Sequence, residues 1–275
     1  MQVVVLMKQT FDTEEKIELV GGAVSEHSVK YIINPYDEYA LEEALRLRDT
    51  HGGSVTVVSC GPERAVEALR TGLAMGADEA VHISDEGLHG NDRAIAAALA
   101  AVVKSLQPDL LLAGLFAVDR GAGSVALQAA ELLGLPHASA ALKVEVRTGG
   151  GSGAGNAKSG AAWASSGGLT AVVERDTEWG LETVEVPLPA LITAQQGLNE
   201  PRYPSLPGIM KAKRKPLKQV TAAELGLGAD DLAPRTERVA LLAPPVRAAG
   251  RKLAGTPGEQ AAALADLLQR EAKLF

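Results

Sequence analysis

Short aliphatic runs alternate along this chain with longer segments of helical period, and that alternation points to a layered α/β architecture. Val3–Met7, Val55–Ser59, Glu79–Ile83 and Leu110–Ala113 are each four to five residues long. They read as apolar on both faces, as parallel strands buried between helices must be. The first intervening helix starts at Asn34, an N-cap followed by Pro35 at the first helical position and by Asp37 and Glu38 in the first turn. It stops at Gly52-Gly53, and Ala40, Leu41, Ala44, Leu45 and Leu47 form its apolar stripe. A second helix spans Glu63–Met75 before Gly76, a third runs from an Asp92 cap to Leu106, and a fourth from Gly123 to Gly134. This βαβα order predicts an α/β fold, a doubly wound parallel sheet with right-handed crossovers. Its ligand site should lie beyond the carboxyl ends of the strands.

With 275 residues, 46% of them hydrophobic, the chain can bury one large core without disulfide or metal. Only 3% are aromatic, so that core must be aliphatic and alanine-rich. The single cysteine, Cys60, excludes an internal disulfide framework, and no Cys/His cluster has metal-ligand spacing. A reducing, cytoplasmic location is the expectation. The N-terminal apolar run lacks a preceding basic region and meets Lys8 too early for a signal peptide. No stretch approaches the roughly 18 apolar residues of a membrane span, so no membrane insertion is expected. A net charge of −7 argues against nucleic-acid binding.

Residues 149–168 interrupt the pattern with eight glycines in twenty residues. No register gives G-x-G-x-x-G, and the stretch does not follow a parallel strand. It reads as a Gly/Ala/Ser-rich insertion, a mobile hairpin or linker tip between strands at 142–147 and 169–175. Val184–Pro187 and Ala190–Thr193 are further strands, with Pro187 and Pro189 at ends or an edge.

Residues 199–215 carry Pro201, Pro204 and Pro207, which fix φ and remove amide donors, so the segment cannot pair as a strand. It reads as a stiff exposed loop with a helix starting near Ser205 to Gly208. Its tip would present Tyr203, Leu206 and Ile209, followed by Lys211, Lys213, Arg214 and Lys215. That is the make-up of a docking element. From 216 to 275 the chain breaks into short apolar pieces, Pro244-Pro245 and a last helix, Pro257–Lys273, with Ala261, Leu264, Leu267 and Leu268 on one face. So sparse a tail buries little alone and is expected to be an arm that packs on another chain.

Four strand-end places coincide in the expected crevice: Lys8-Gln9, Asn34 to Asp37, Cys60-Gly61-Pro62, and Gly114 to Val125. In the last, Ser124 stands where a helix begins, so its free amides can hold a phosphate, and Gly121 and Gly123 permit close backbone approach. Taken singly, Asn34 reads as an N-cap and Asp119 as a turn residue. Cys60 reads as a pocket wall, because no base or helix terminus activates it. The five histidines are scattered, and no Ser-His-Asp set or carboxylate pair is evident, so catalysis by the chain itself is not expected.

The blocks 33–44, 57–62, 73–78 and 199–215 occur in the order seen in the β subunit of electron transfer flavoproteins, and the chain resembles that family from residue 1 to about 217. The resemblance implies an adenine-nucleotide-binding domain over 1–215, a partner-docking loop at 199–215 and a 216–275 arm on an α subunit. It implies nucleotide contacts at Leu6, Asn34, Pro35, Tyr36, Asp37, Cys60 and Gly114 through Asp119, Arg120, Gly121, Ala122, Gly123, Ser124 and Val125. Tyr36 and Thr13 would face a FAD shared with the α subunit. Tyr203, Leu206, Ile209 and Lys211 would meet dehydrogenases, with a quinone reductase or another redox acceptor downstream. The phosphate loop departs from the family pattern at Leu115-Phe116, Gly121, Ser124 and Ala126, which leaves a site built on backbone amides. Residues 31–48 look like the electron-bifurcating branch, which places a second FAD where other members hold AMP. The reduced donor set of 119–126 points instead to AMP. The expectation is an electron carrier, one FAD and one AMP per heterodimer. The rival is a stand-alone adenine-nucleotide-binding regulatory module without redox work.

Overall fold

The structure, a computed structural model, describes residues 1–25, 29–88, 90–148, 161, 163, 168–247 and 249–274. In chain order the elements are β1 (Gln2–Leu6), β2 (Gln9–Phe11), β3 (Leu19–Val20), β4 (Ala23–Val24), β5 (Tyr31–Ile33), α1 (Pro35–His51), β6 (Ser54–Gly61), α2 (Ala65–Met75) and β7 (Glu79–Ser84). They continue as α3 (Asp92–Leu106), β8 (Leu110–Gly114), α4 (Val125–Leu133), β9 (His137–Thr148), β10 (Leu169–Thr177), β11 (Gly180–Pro187) and β12 (Ala190–Ala194). The chain closes with α5 (Leu206–Ala212), β13 (Leu217–Val220), α6 (Ala229–Leu232) and α7 (Pro257–Arg270).

Successive residues of β1 face opposite cores, which makes the sheet doubly wound. Val3 and Val5 join Leu41 and Leu45 of α1 and Leu69 and Leu73 of α2 on one side. Val4 and Leu6 join Leu99 and Val103 of α3 and Ala129 and Ala130 of α4 on the other. Each fully buried leucine is worth about 2–3 kcal/mol of transfer free energy, and the alanines let the helix backbones approach the sheet closely. The main sheet has nine strands in the order β11-β10-β9-β12-β8-β1-β6-β7-β13. All neighbours from β9 to β13 in that order are parallel, and β10 and β11 add an antiparallel end. β2 pairs antiparallel with β5, and β3 with β4 makes a two-stranded ribbon.

Several boundaries differ from the sequence expectations. α3 is capped by Asn91, whose side chain accepts from the Arg93 amide, so Asp92 lies one residue inside the helix. β9 begins at His137 instead of 142, because it pairs parallel with β12 before it pairs with β10. The 149–168 insertion lies largely outside the described residues, as do His27 and His89. Ala161 is buried in the α3/α4 core, and the Trp163 indole donates to the Pro108 carbonyl at 3.1 Å.

The chain divides into two compact units. The first comprises Met1–Glu18 and Val24–Val239 and takes in β13, which pairs with β7 at the sheet edge. The second comprises Leu19–Ala23 and Ala240–Phe275. Its α7 is capped by a box in which Thr256 and Glu259 bond each other's backbone amides, and none of its residues is buried. Among the described residues no helix is long and apolar enough to cross a membrane.

Candidate functional site

The chain runs from β1 to β6 and β7 on one side, then crosses to β8 on the other side of β1. That reversal leaves a crevice beyond the carboxyl ends of β1 and β8, the usual ligand position in such sheets. A cavity of about 380 Å³ lies there, bounded by the ends of β1, β6 and β8, the start of α1 and the 114–126 segment.

Asp37 closes the floor. Its buried carboxylate accepts from the Lys8 amide at 2.7 Å and from the Gly114 amide at 2.9 Å, tying α1 to the ends of both central strands. Burial pushes the carboxyl up to about 7, opposed by the Lys8 amide, the Asn34 side chain, the Gly114 amide and the Lys8 charge. Gly114 must be glycine for this approach, because a Cβ there would sit 2.3 Å from Asp37 Oδ1 and 2.7 Å from Tyr36 Cβ. Asn34 holds its cap position through its backbone carbonyl, which accepts from the Asp37 and Glu38 amides. Its side chain does something else. It donates to the Phe116 carbonyl at 3.0 Å and accepts from the Val118 amide at 3.1 Å, pinning the loop after β8 to the helix start.

That loop turns sharply at Gly121, where φ is +63°, and its amide donates to the Ala117 carbonyl. α4 then begins with Ser124 at the N-cap, but the serine side chain makes no capping bond and instead meets Gln128 Nε2 at 3.0 Å. The first amides of α4 therefore keep their donors, and the positive end of the helix dipole stands at the cavity rim. The Asp119 charge is taken up by Lys8, 2.7 Å away. Arg120 lines the cavity and makes no ion pair among the described residues. Arg64, also on the wall, reaches Gln9 at 2.9 Å and stacks over Tyr31. Cys60 lines the wall, its thiol pushed up to about 12 by burial and by the Asp85 charge, so it is no thiolate at neutral pH.

The proline-rich segment emerges elsewhere on the same unit. Ser205 caps α5 by accepting from the Gly208 amide at 3.1 Å. Tyr203 is 93% exposed, Leu206 74%, Met210 68% and Ile209 46%, with Lys211 exposed beside them.

An electron transfer flavoprotein domain model matches residues 21–225. Electron transfer flavoprotein subunit beta of Bacillus subtilis is 44% identical over 277 aligned residues, covering 100% of each chain. The corresponding subunit of Syntrophomonas wolfei is 36% identical over 100% of this chain and 98% of its own, and that of Methylophilus methylotrophus 34% over 98% of each. The chain belongs to the electron transfer flavoprotein β-subunit family. Like other electron transfer flavoprotein subunits it is an electron carrier rather than a classic enzyme.

Of the residues singled out from sequence, the electron transfer flavoprotein fold brings Leu6, Asn34, Asp37, Cys60, Gly114 and Asp119 to the cavity wall. Arg120, Ala122, Gly123 and Val125 join them, while Pro35, Tyr36, Gly121 and Ser124 are neighbours in the chain that do not line the cavity. The Tyr36 ring lies 4.3 Å from that of Phe116. Sequence reasoning missed Arg64, Asp85 and the α3 residues Asp92, Ile95 and Leu99 on the wall. The spacing of the last three is an i, i+3, i+7 stripe that merged with the core pattern. Met210 was also missed, because it follows the prolines and reads as ordinary helix.

Proposed function

We propose that this chain is the β subunit of a heterodimeric electron transfer flavoprotein, carrying electrons from dehydrogenases to a quinone reductase or other acceptor through a FAD shared with an α subunit. The observation that carries this reading is the cavity at the β1/β8 switch point, with uncapped α4 amides and Arg120 at its rim. Those donors fit a phosphate. A volume of about 380 Å³ falls near the lower end of the roughly 300–1,000 Å³ of ligand pockets, which favours a mononucleotide over a dinucleotide. We therefore assign AMP to the cavity, with its phosphate at Gly121–Val125 and its base near Leu6 and Cys60.

The flavin would supply the redox chemistry. This chain's residues do the rest: the Asn34 and Asp37 bonds hold the strand ends and the loop after β8 in place around the cavity. Over residues 1–215 we place the nucleotide-binding domain, over 199–215 the docking loop, and over 216–275 the arm, of which 240–275, outside the first compact unit, would meet the α subunit. Acid release from the copurified heterodimer should yield one FAD and one AMP. Two FAD without AMP would transfer the cavity to a second flavin, the arrangement of the bifurcating branch suggested by residues 31–48. A flavin-free chain that binds adenine nucleotide alone and recruits no α subunit would favour the regulatory module.

A further inference from the structure

The exposed apolar crown of residues 203–210 stands on two feet, each fastened to a different helix. On one side α1 carries two adjacent carboxylates, Glu42 and Glu43, both buried. Arg202 forks onto Glu42 with Nε at 2.8 Å and Nη2 at 3.0 Å, and its backbone amide donates to the same carboxylate at 3.1 Å. Asn199 Nδ2 donates to Glu43 and to the Tyr39 carbonyl, each at 3.0 Å. On the other side the Lys215 ammonium caps the Leu73 and Ala77 carbonyls at the end of α2. Arg70 of α2 returns bonds to the Ala212 and Lys215 carbonyls. Between the feet α5 lies against α2 so closely that a Cβ on Gly208 would fall 2.4 Å from the Ala74 carbonyl oxygen.

Buried carboxylates cost free energy unless paired, and a core position on α1 has cheaper occupants than Glu42. The pairing makes sense for the loop. A planar guanidinium held by two bonds, with a third from the backbone amide of the same residue, sets both the position and the direction of the chain at 202, immediately before Tyr203 and Leu206. We propose that Arg202 and Asn199, acting from Glu42 and Glu43, are positioning residues that hold the crown in its binding shape before a redox partner arrives. A segment ordered in advance loses less conformational entropy on docking, so the effect belongs in the encounter with the partner and not in the flavin chemistry. This inference rests on the docking role given to the loop above.

The test uses the assembled heterodimer with its flavin and a purified dehydrogenase that reduces it. Arg202→Met alone would strand the Glu42 charge, so the informative variant is R202M combined with E42Q, which removes fork and charge together. KM for the heterodimer should rise at least about fivefold with kcat within about twofold of the parent, and amide exchange over 203–210 should quicken. In an L206A background the same pair of substitutions should change KM by less than about twofold, because the staple acts through the crown. A raised KM in L206A with an unchanged KM in R202M/E42Q would overturn the positioning role alone. An unchanged KM in L206A itself would overturn the docking reading and this inference with it.

Discussion

Asp37 sits in the first turn of α1, where an acidic residue is expected for the helix dipole, but its contacts run to Lys8 and Gly114 at the ends of two strands. Since burial raises its carboxyl from 3.8 to about 7, the folded chain holds that proton more tightly than the unfolded one. The contribution to stability is then full below about pH 4 and declines as pH rises through about 7. Asp37→Asn removes this titration. In urea unfolding, the parent should lose stability relative to the variant between pH 5 and pH 7.5, and a constant difference across that interval would exclude the effect. Gly114 was readable as a strand-end glycine, but not why it is one. The reason is α1, 77 residues away along the chain from Gly114 to Asp37.

Among the elements, α1 serves two surfaces: its first turn holds the cavity floor and its middle holds the foot of the proline loop. The loop's leucine is the natural anchor, since an exposed leucine on a stiff, capped turn can fill a partner pocket with little entropy loss. Leu206→Ala should slow electron transfer from the dehydrogenase at least about tenfold at subsaturating concentration, the consequence of losing an anchor worth about 2 kcal/mol or more. Flavin content and melting temperature should match the parent, and equal rates would remove the docking role. Helices and core strands were legible because their periodicity and caps are local. The three-residue strands β2 and β5, and the edge strand β13 with two of its four residues polar, carried too short a signal.

For the whole molecule, the second unit holds a 14-residue helix with no buried residue. Isolated helices of that length are marginal in water, so α7 gains from a partner surface for its Leu264, Leu267 and Leu268 face. The full chain coexpressed with an α subunit should elute as a one-to-one complex and carry yellow flavin only there. Removal of residues 240–275 should abolish that association in size-exclusion chromatography. A flavin-loaded monomer of the full chain would contradict the heterodimer.

What the sequence determined by itself is the layered α/β class, the positions of most helices, the crevice segments and the exposed proline loop, since each depends on residue periodicity or backbone restriction within a few neighbours. Only the tertiary structure decided what the polar residues do. Asn34 reads as a cap and Asp37 as a dipole partner until α1 is brought against β8. There the cap's side chain fastens residues 116–118, and the carboxylate becomes a buried bridge. Glu42, Glu43 and Arg202 likewise look like solvated charges until the fold closes a sequence gap of 160 residues between Glu42 and Arg202. A hydrogen bond has direction and short range, so its meaning exists only once both partners have been placed.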